Sequence, residues 1–179
     1  MSAIDELLAN NAAYAERFEH GNLPTAPSRK LAVVACMDSR IDVFSVLGLG
    51  HGEAHIMRNA GGIMTDDMIR SLVISQHLLG TRSILLIHHT DCGAQKFTDP
   101  GLSVTIQERT GYAPPFPLGA FVDLDESVRE SLRKLRGSAY LVDASDARGF
   151  VYDVDTGRLR EVTGPAPADG TAATSTTTG

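Results

Sequence analysis

The sequence has no tryptophan, only two cysteines and no long hydrophobic run. No apolar stretch approaches the roughly 20 residues that an α-helix needs to span a bilayer, so we expect no membrane partner. Positive charge is also scarce, because 16 Lys and Arg residues stand against 22 Asp and Glu residues and form no block. Nucleic acid is therefore not expected as a partner. The first six residues lack the basic and apolar segments of a signal peptide, which favours a cytoplasmic protein.

The two cysteines, Cys36 and Cys92, could form a disulfide, lie in the core as inert thiols, or bind a metal. In the absence of an export signal, the reducing cytosol disfavours a disulfide. Two inert core thiols would not be expected at the ends of two predicted strands, close to Asp38 and His89. Metal binding is therefore the interpretation that fits these neighbours best.

Polar side chains with metal-binding chemistry follow two short apolar runs. Residues 31–35 and 84–87 are apolar throughout and predict buried strands of a parallel sheet. In an open α/β sheet, ligands bind beyond the carboxyl ends of the strands. Neighbouring parallel strands would bring the polar residues that follow them to one edge, and two thiols, one imidazole and one carboxylate form a zinc-ligand set. The residues in question are Cys36, Asp38, His89 and Cys92.

Strands and helices alternate along most of the chain, which predicts βαβ units and an α/β fold. We expect a single domain over residues 1–163, with a small, mainly parallel central sheet flanked by helices and a C-terminal β-hairpin. The composition of residues 164–179 predicts a disordered tail. The predicted strands are 31–35, 53–57, 83–87 and 139–142, with hairpin arms at 150–154 and 158–162. The predicted helices are 2–18, 41–47, 66–79, 103–109 and 121–136.

The motif Cys36-x-Asp38-x-Arg40, followed by His89-x-x-Cys92-Gly93, resembles the paired signature of the β-class carbonic anhydrases. Residues 58–62, Arg-Asn-Ala-Gly-Gly, resemble the stretch after that family's second strand. The resemblance covers residues 30–95 closely. It implies one Zn²⁺ per chain, held by Cys36, His89 and Cys92. In the loop that begins at Arg58, the paired glycines Gly61 and Gly62 would let the backbone approach a small substrate closely, although a plain tight turn fits the sequence equally well.

The resemblance also implies an activity and a switch. The activity is the reversible hydration of CO2 to bicarbonate and a proton through a zinc-bound hydroxide. The switch is a dyad of Asp38 and Arg40. Asp38 would either orient the hydroxide or, in a closed state, occupy the fourth zinc position, and Arg40 would hold it off the metal. The family forms dimers and multiples of dimers, so we expect a homodimer or a dimer of dimers, with helix 2–19 at the interface.

Two alternatives share this ligand set. Relatives that hydrolyse carbonyl sulfide or carbon disulfide resemble the family in every ligand, and the proline-containing segment 94–120 is where a different substrate route could arise. A non-catalytic zinc module, closed by Asp38, is the second alternative, although Arg40 would then have no use. Some bacterial relatives bind inhibitory bicarbonate through a tryptophan three residues before the first cysteine. This chain has Val33 there, which argues against that regulation.

Overall fold

The computed structural model describes residues 2–164. Within that range the chain forms five α-helices and a five-stranded sheet with the strand order β2-β1-β3-β4-β5. Short 3₁₀ turns follow β2 at Ala60–Gly62 and β3 at Gly93–Gln95. The strands are β1 Leu31–Cys36, β2 Ala54–Asn59, β3 Ser83–His89, β4 Ala147–Tyr152 and β5 Leu159–Glu161. The helices are α1 Ala3–Ala15, α2 Val43–Leu47, α3 Asp66–Leu79, α4 Asp99–Thr110 and α5 Leu124–Arg136.

The sheet is parallel from β2 to β4, and β5 joins it antiparallel to β4. This confirms the predicted α/β fold and its C-terminal hairpin. Strand β1 lies between β2 and β3 and is almost entirely buried, which is why its sequence is apolar without alternation. The pairing of Ala35 with Ile87 brings the carboxyl ends of β1 and β3 side by side.

Two helices cover one face of the sheet, and their ends carry the expected capping residues. The Thr65 hydroxyl accepts a hydrogen bond from the backbone N–H of Met68 at the start of α3, and Gly80 ends that helix in a left-handed conformation. Asp123 caps α5 in the same way. The core on this face combines apolar residues of the strands and both helices, among them Val34, Leu72, Leu86, Val128 and Leu135.

The predicted strand at residues 139–142 is wrong, because this segment forms a turn. The buried Gln76 of α3 satisfies its backbone instead of a neighbouring strand. The Gln76 amide oxygen accepts from the N–H groups of Val142 and Asp143, and its NH2 group donates to the Asp143 carbonyl at 2.6 Å. The fourth parallel strand is β4, which the sequence predicted only as the first arm of the hairpin.

Several helix boundaries also differ from the prediction, among them the starts of α4 and α5. Helix α4 is longer than residues 103–109 because Thr98 caps it and a proline occupies its first turn, where no N–H is needed. Helix α5 starts after residue 121, since Asp123 accepts from the N–H of Glu126 and fixes the start there. Phe121 consequently belongs to a loop, and its ring packs against His88 with ring centroids 5.8 Å apart.

Helix α1 has a capping box formed by Ser2 and Asp5, and none of its residues is buried. Its apolar residues Ile4, Leu7 and Leu8 are therefore exposed. The end of α1 contacts the rest of the chain through Tyr14, whose hydroxyl lies 3.4 Å from His51 Nε2. The predicted tail at 164–179 lies outside the described residues apart from Gly164. None of the helices in residues 2–164 has the length and apolar character needed to cross a membrane.

Candidate metal centre

Three buried side chains with metal-binding atoms meet at the carboxyl ends of β1 and β3. Cys36 is the last residue of β1, His89 is the last residue of β3, and Cys92 lies in the turn that follows. Both cysteines are free thiols. The two sulfur atoms and a ring nitrogen of His89 all lie within 4.8 Å of one another. The strand ends thus bring together the two thiols and the imidazole that the sequence placed at this edge.

The ring of His89 is oriented as a metal ligand requires. Its Nδ1 donates to the carbonyl oxygen of Thr90 at 2.8 Å, which leaves the lone pair on Nε2. His89 is fully buried, and Nε2 has no hydrogen-bond partner among residues 2–164. A buried imidazole nitrogen without a partner is costly unless a ligand satisfies it. Together with two sulfur donors, this nitrogen fits a zinc ion.

The two thiols lie close together and differ in acidity. Hydrogen bonding from Cys92 lowers the pKa of Cys36 to about 4, against the opposing effect of burial. The same contact raises the pKa of Cys92, since its proton is held by the Cys36 thiolate. Burial opposes protonation of His89, but the Cys36 thiolate, the Thr90 carbonyl and the Asp38 carboxylate together outweigh it and raise the pKa of His89. Since metal ligands must be deprotonated, binding would release the shared proton.

Asp38 stands beside this cluster and is held by Arg40. The Arg40 side chain donates to both carboxylate oxygens, from Nε at 2.9 Å and from Nη2 at 2.7 Å. These hydrogen bonds lower the pKa of Asp38, so its carboxylate is ionised. Its Oδ2 lies 3.7 Å from His89 Nε2. The carboxylate is therefore at the edge of the donor cluster while it is bound to the guanidinium.

Arg58, Gly61 and Gly62 support the end of β1. Arg58 donates to the carbonyl oxygens of Cys36 at 2.9 Å and Asp38 at 2.7 Å. Gly62 has a φ of +68°, and a Cβ atom there would lie 2.8 Å from the Cys36 nitrogen. Glycine is needed because the turn presses directly on strand backbone. The predicted contact of these three residues with substrate stays a prediction.

His88 precedes His89 on β3, and its ring packs against Phe121. It is fully buried, and among residues 2–164 neither ring nitrogen has a hydrogen-bond partner. Burial lowers the pKa of His88 to about 4, so the ring is neutral near pH 7. A proton shuttle needs contact with solvent, which this side chain lacks.

Asp91 is a residue of the site that the sequence analysis did not single out. It lies between His89 and Cys92, and its carboxylate binds Arg40 at 3.0 Å and Lys96 at 2.6 Å. Its backbone has a φ of +54°. The sequence did contain one signal for this role, an acidic residue between the two ligands His89 and Cys92. Asp is also one of the residue types that tolerate the left-handed conformation.

Fold and site together define an α/β protein with a buried Cys–His–Cys cluster, suited to a metal ion, at the carboxyl edge of its sheet. A family model described as carbonic anhydrase matches residues 31–110. Beta-carbonic anhydrase 1 of Mycobacterium tuberculosis is 51% identical over 163 residues, which cover 91% of this chain and 99% of that protein. The chain belongs to the β-carbonic anhydrase family.

Two further relatives show the range of this family. The crystal structure of a carbonic anhydrase from Streptococcus mutans superimposes with a TM-score of 0.86 at 44% identity, over 91% of this chain and 99% of that one. A carbon disulfide hydrolase of Acidianus sp. is 32% identical over 182 residues, covering 88% of each chain. The resemblance found in the sequence motifs is thereby confirmed.

Proposed function

We propose that this chain catalyses the reversible hydration of CO2 to bicarbonate and a proton, with one zinc ion per chain. The observation that carries the proposal is the buried cluster of Cys36, His89 and Cys92, beside a carboxylate that Arg40 holds. The 51% identity to a protein named beta-carbonic anhydrase 1 supports it. Cys36, His89 and Cys92 would be the zinc ligands, and Asp38 and Arg40 the catalytic residues.

Each residue has a role that follows from its chemistry. When bound, zinc supplies the Lewis acidity that makes water a nucleophile near neutral pH. Asp38 is ionised and only accepts hydrogen bonds, so it can orient the O–H of an attacking water. The same carboxylate could instead fill the fourth ligand position and close the site. Arg40 favours the open arrangement because its paired hydrogen bonds hold Asp38 at the guanidinium.

Hydrolysis of carbon disulfide or carbonyl sulfide is the second candidate, because carbon disulfide hydrolases are also among the relatives of this chain. These substrates are linear molecules with an electrophilic carbon, as CO2 is, and the same ligand set could serve them. A closed, non-catalytic zinc module is disfavoured by the bonds between Arg40 and Asp38. A protein that used Asp38 as a permanent ligand would not need a guanidinium to bind it.

Stopped-flow hydration of CO2 between about pH 6.5 and 9, on the zinc-loaded protein, tests the proposal. We expect the rate to rise with pH as the attacking water loses its proton. Asp38→Ala should lower kcat/KM roughly 10- to 100-fold, the effect typical of residues that orient a metal site. Asp67→Ala is the control, because Asp67 is an exposed acid whose ion-pair partner is Arg70, and it should retain full activity.

Consumption of carbonyl sulfide and carbon disulfide is measured on the same sample. Little hydration together with rapid loss of either sulfur compound would replace the proposal by the second candidate. Stoichiometric zinc with none of the three activities would instead favour the closed module.

We also propose a homodimer or a dimer of dimers, with helix α1 at the interface, in a cytoplasmic protein. The support is that Ile4, Leu7 and Leu8 are each more than 60% exposed although they form one stripe. Introducing charge with Leu7→Glu and Leu8→Glu should shift the sedimentation coefficient to that of a monomer. Asn10→Glu adds charge to another face of the same helix and should leave the assembly intact. A double variant that sediments like the wild type would exclude α1 from the interface.

A further inference from the structure

The guanidinium of Arg40 is held on two sides. On one side its Nε and Nη2 donate to Asp38. On the other side Nη1 donates to the Asp91 carboxylate at 3.0 Å, and Nη2 donates to the Asp91 backbone carbonyl at 3.2 Å. Because a guanidinium is planar, fixing Nη1 and Nη2 from one side also fixes where Nε points. The two contacts do not compete for Nε, which serves Asp38 alone.

Asp91 is itself fixed by two independent features. Its second carboxylate oxygen accepts from the Lys96 ammonium group at 2.6 Å. Its φ of +54° lies in the left-handed region, which directs both its side chain and its carbonyl oxygen toward Arg40. A non-glycine residue keeps such a conformation only where its surroundings determine it. The turn that connects His89 to Cys92 therefore contains Asp91, which accepts hydrogen bonds from Arg40.

An ordinary surface ion pair would explain the carboxylate contact alone. The Asp91 side chain is 53% exposed and that of Arg40 is 44% exposed, and exposed pairs of this kind stabilise a protein only weakly. The backbone carbonyl contact and the left-handed conformation are not needed for such a pair. They are needed to hold a guanidinium in one orientation, which points to a role in positioning rather than in stability.

We propose that Asp91 is a positioning residue, which holds Arg40 so that Asp38 stays on the guanidinium and does not close the metal site. The expected loss of CO2 hydration rests on the proposed function, whereas the expected release of Asp38 from Arg40 does not. Without the Asp91 side chain, Arg40 has more freedom, and ordering it against Asp38 costs more side-chain entropy. Asp38 is then released more often toward the cluster, whose nearest nitrogen is only 3.7 Å away.

Asp91→Gly tests this proposal, because glycine adopts the left-handed conformation without strain and the protein should fold. We expect kcat/KM at pH 7.5 to fall about tenfold, the lower end of the range for supporting residues at metal sites. The pH of half-maximal activity should rise. In crystals of the zinc-loaded variant, we expect Asp38 to have left Arg40 for the metal. Asp91→Asn keeps an acceptor and tolerates the same φ, and it should restore most of the activity.

Glu161→Ala is the matched control, because it also removes an exposed acid that is paired with an arginine, here Arg148. It should keep the wild-type pH profile and the bonds between Asp38 and Arg40. An unchanged profile with intact Asp38–Arg40 bonds in Asp91→Gly would overturn the proposal, as would an equal loss in Glu161→Ala. If the wild type does not hydrate CO2, the proposed function fails, and the position of Asp38 in the crystals still decides the role of Asp91.

Discussion

Cys36→Ser should abolish stoichiometric zinc binding and, with it, hydration of CO2. The cluster offers three donor atoms from buried residues, and two of them are sulfur. Replacing one thiolate by a hydroxyl removes a negatively charged, soft ligand. A neutral hydroxyl binds zinc poorly in its place. We expect kcat/KM to fall by more than the roughly 10- to 100-fold typical of residues that only orient ligands.

Zinc content after dialysis, measured by mass spectrometry, checks this expectation alongside the activity. Cys92→Ser should behave like Cys36→Ser, because both sulfur atoms belong to the same cluster. Met37→Leu is the control, since Met37 is exposed and directly follows Cys36. It should bind one zinc ion per chain. A Cys36→Ser protein that retains a full equivalent of zinc would show that Cys36 is not a ligand.

Among substitutions that add one methyl group at the site, Gly62→Ala should destabilise the protein most. A Cβ atom there would lie 2.8 Å from both the Cys36 nitrogen and the Ile87 carbonyl oxygen, and neither backbone atom can move freely. The φ of +68° adds the penalty of a left-handed conformation. Overpacking and conformation together should lower the free energy of unfolding by roughly 3 kcal/mol.

Urea denaturation of the metal-free protein measures this loss, and the chain provides a matched control. Gly80 also has a positive φ, of +74°, but a Cβ atom there would meet nothing within 4 Å. Gly80→Ala should therefore cost only the conformational penalty, about 1 kcal/mol. Equal losses for the two variants would mean that the close approach to β1 and β3 contributes nothing.

The sequence predicted the donor cluster well because parallel strands impose simple geometry. Two apolar runs had to be neighbouring buried strands, and their carboxyl ends then had to carry Cys36 and His89 to one edge. The turn at residues 139–142 was not predictable in this way. Its backbone is satisfied by the Gln76 side chain, more than sixty residues earlier in the chain, and no local pattern reveals such a contact.

The role that we propose for Asp91 was equally hidden. Its left-handed conformation and its contact with Arg40 depend on how two turns meet after the sheet has formed. A sequence pattern gives the residue type and its distance from the ligands along the chain, but not the direction of its side chain. The start of α5 shows a milder case, because the helix was predicted from residue 121, whereas the Asp123 side chain caps it and fixes its start.

The crossover between β1 and β3 has a consequence for the order of events during biosynthesis. Cys36 precedes His89 by more than fifty residues, and β2 and α3 lie between them along the chain. No short segment of the nascent polypeptide contains the complete donor set. A metal ion held by Cys36, His89 and Cys92 can therefore load only after the centre of the sheet has assembled. Because such an ion binds the native state and not the extended chain, it would bind late in folding and stabilise the completed fold.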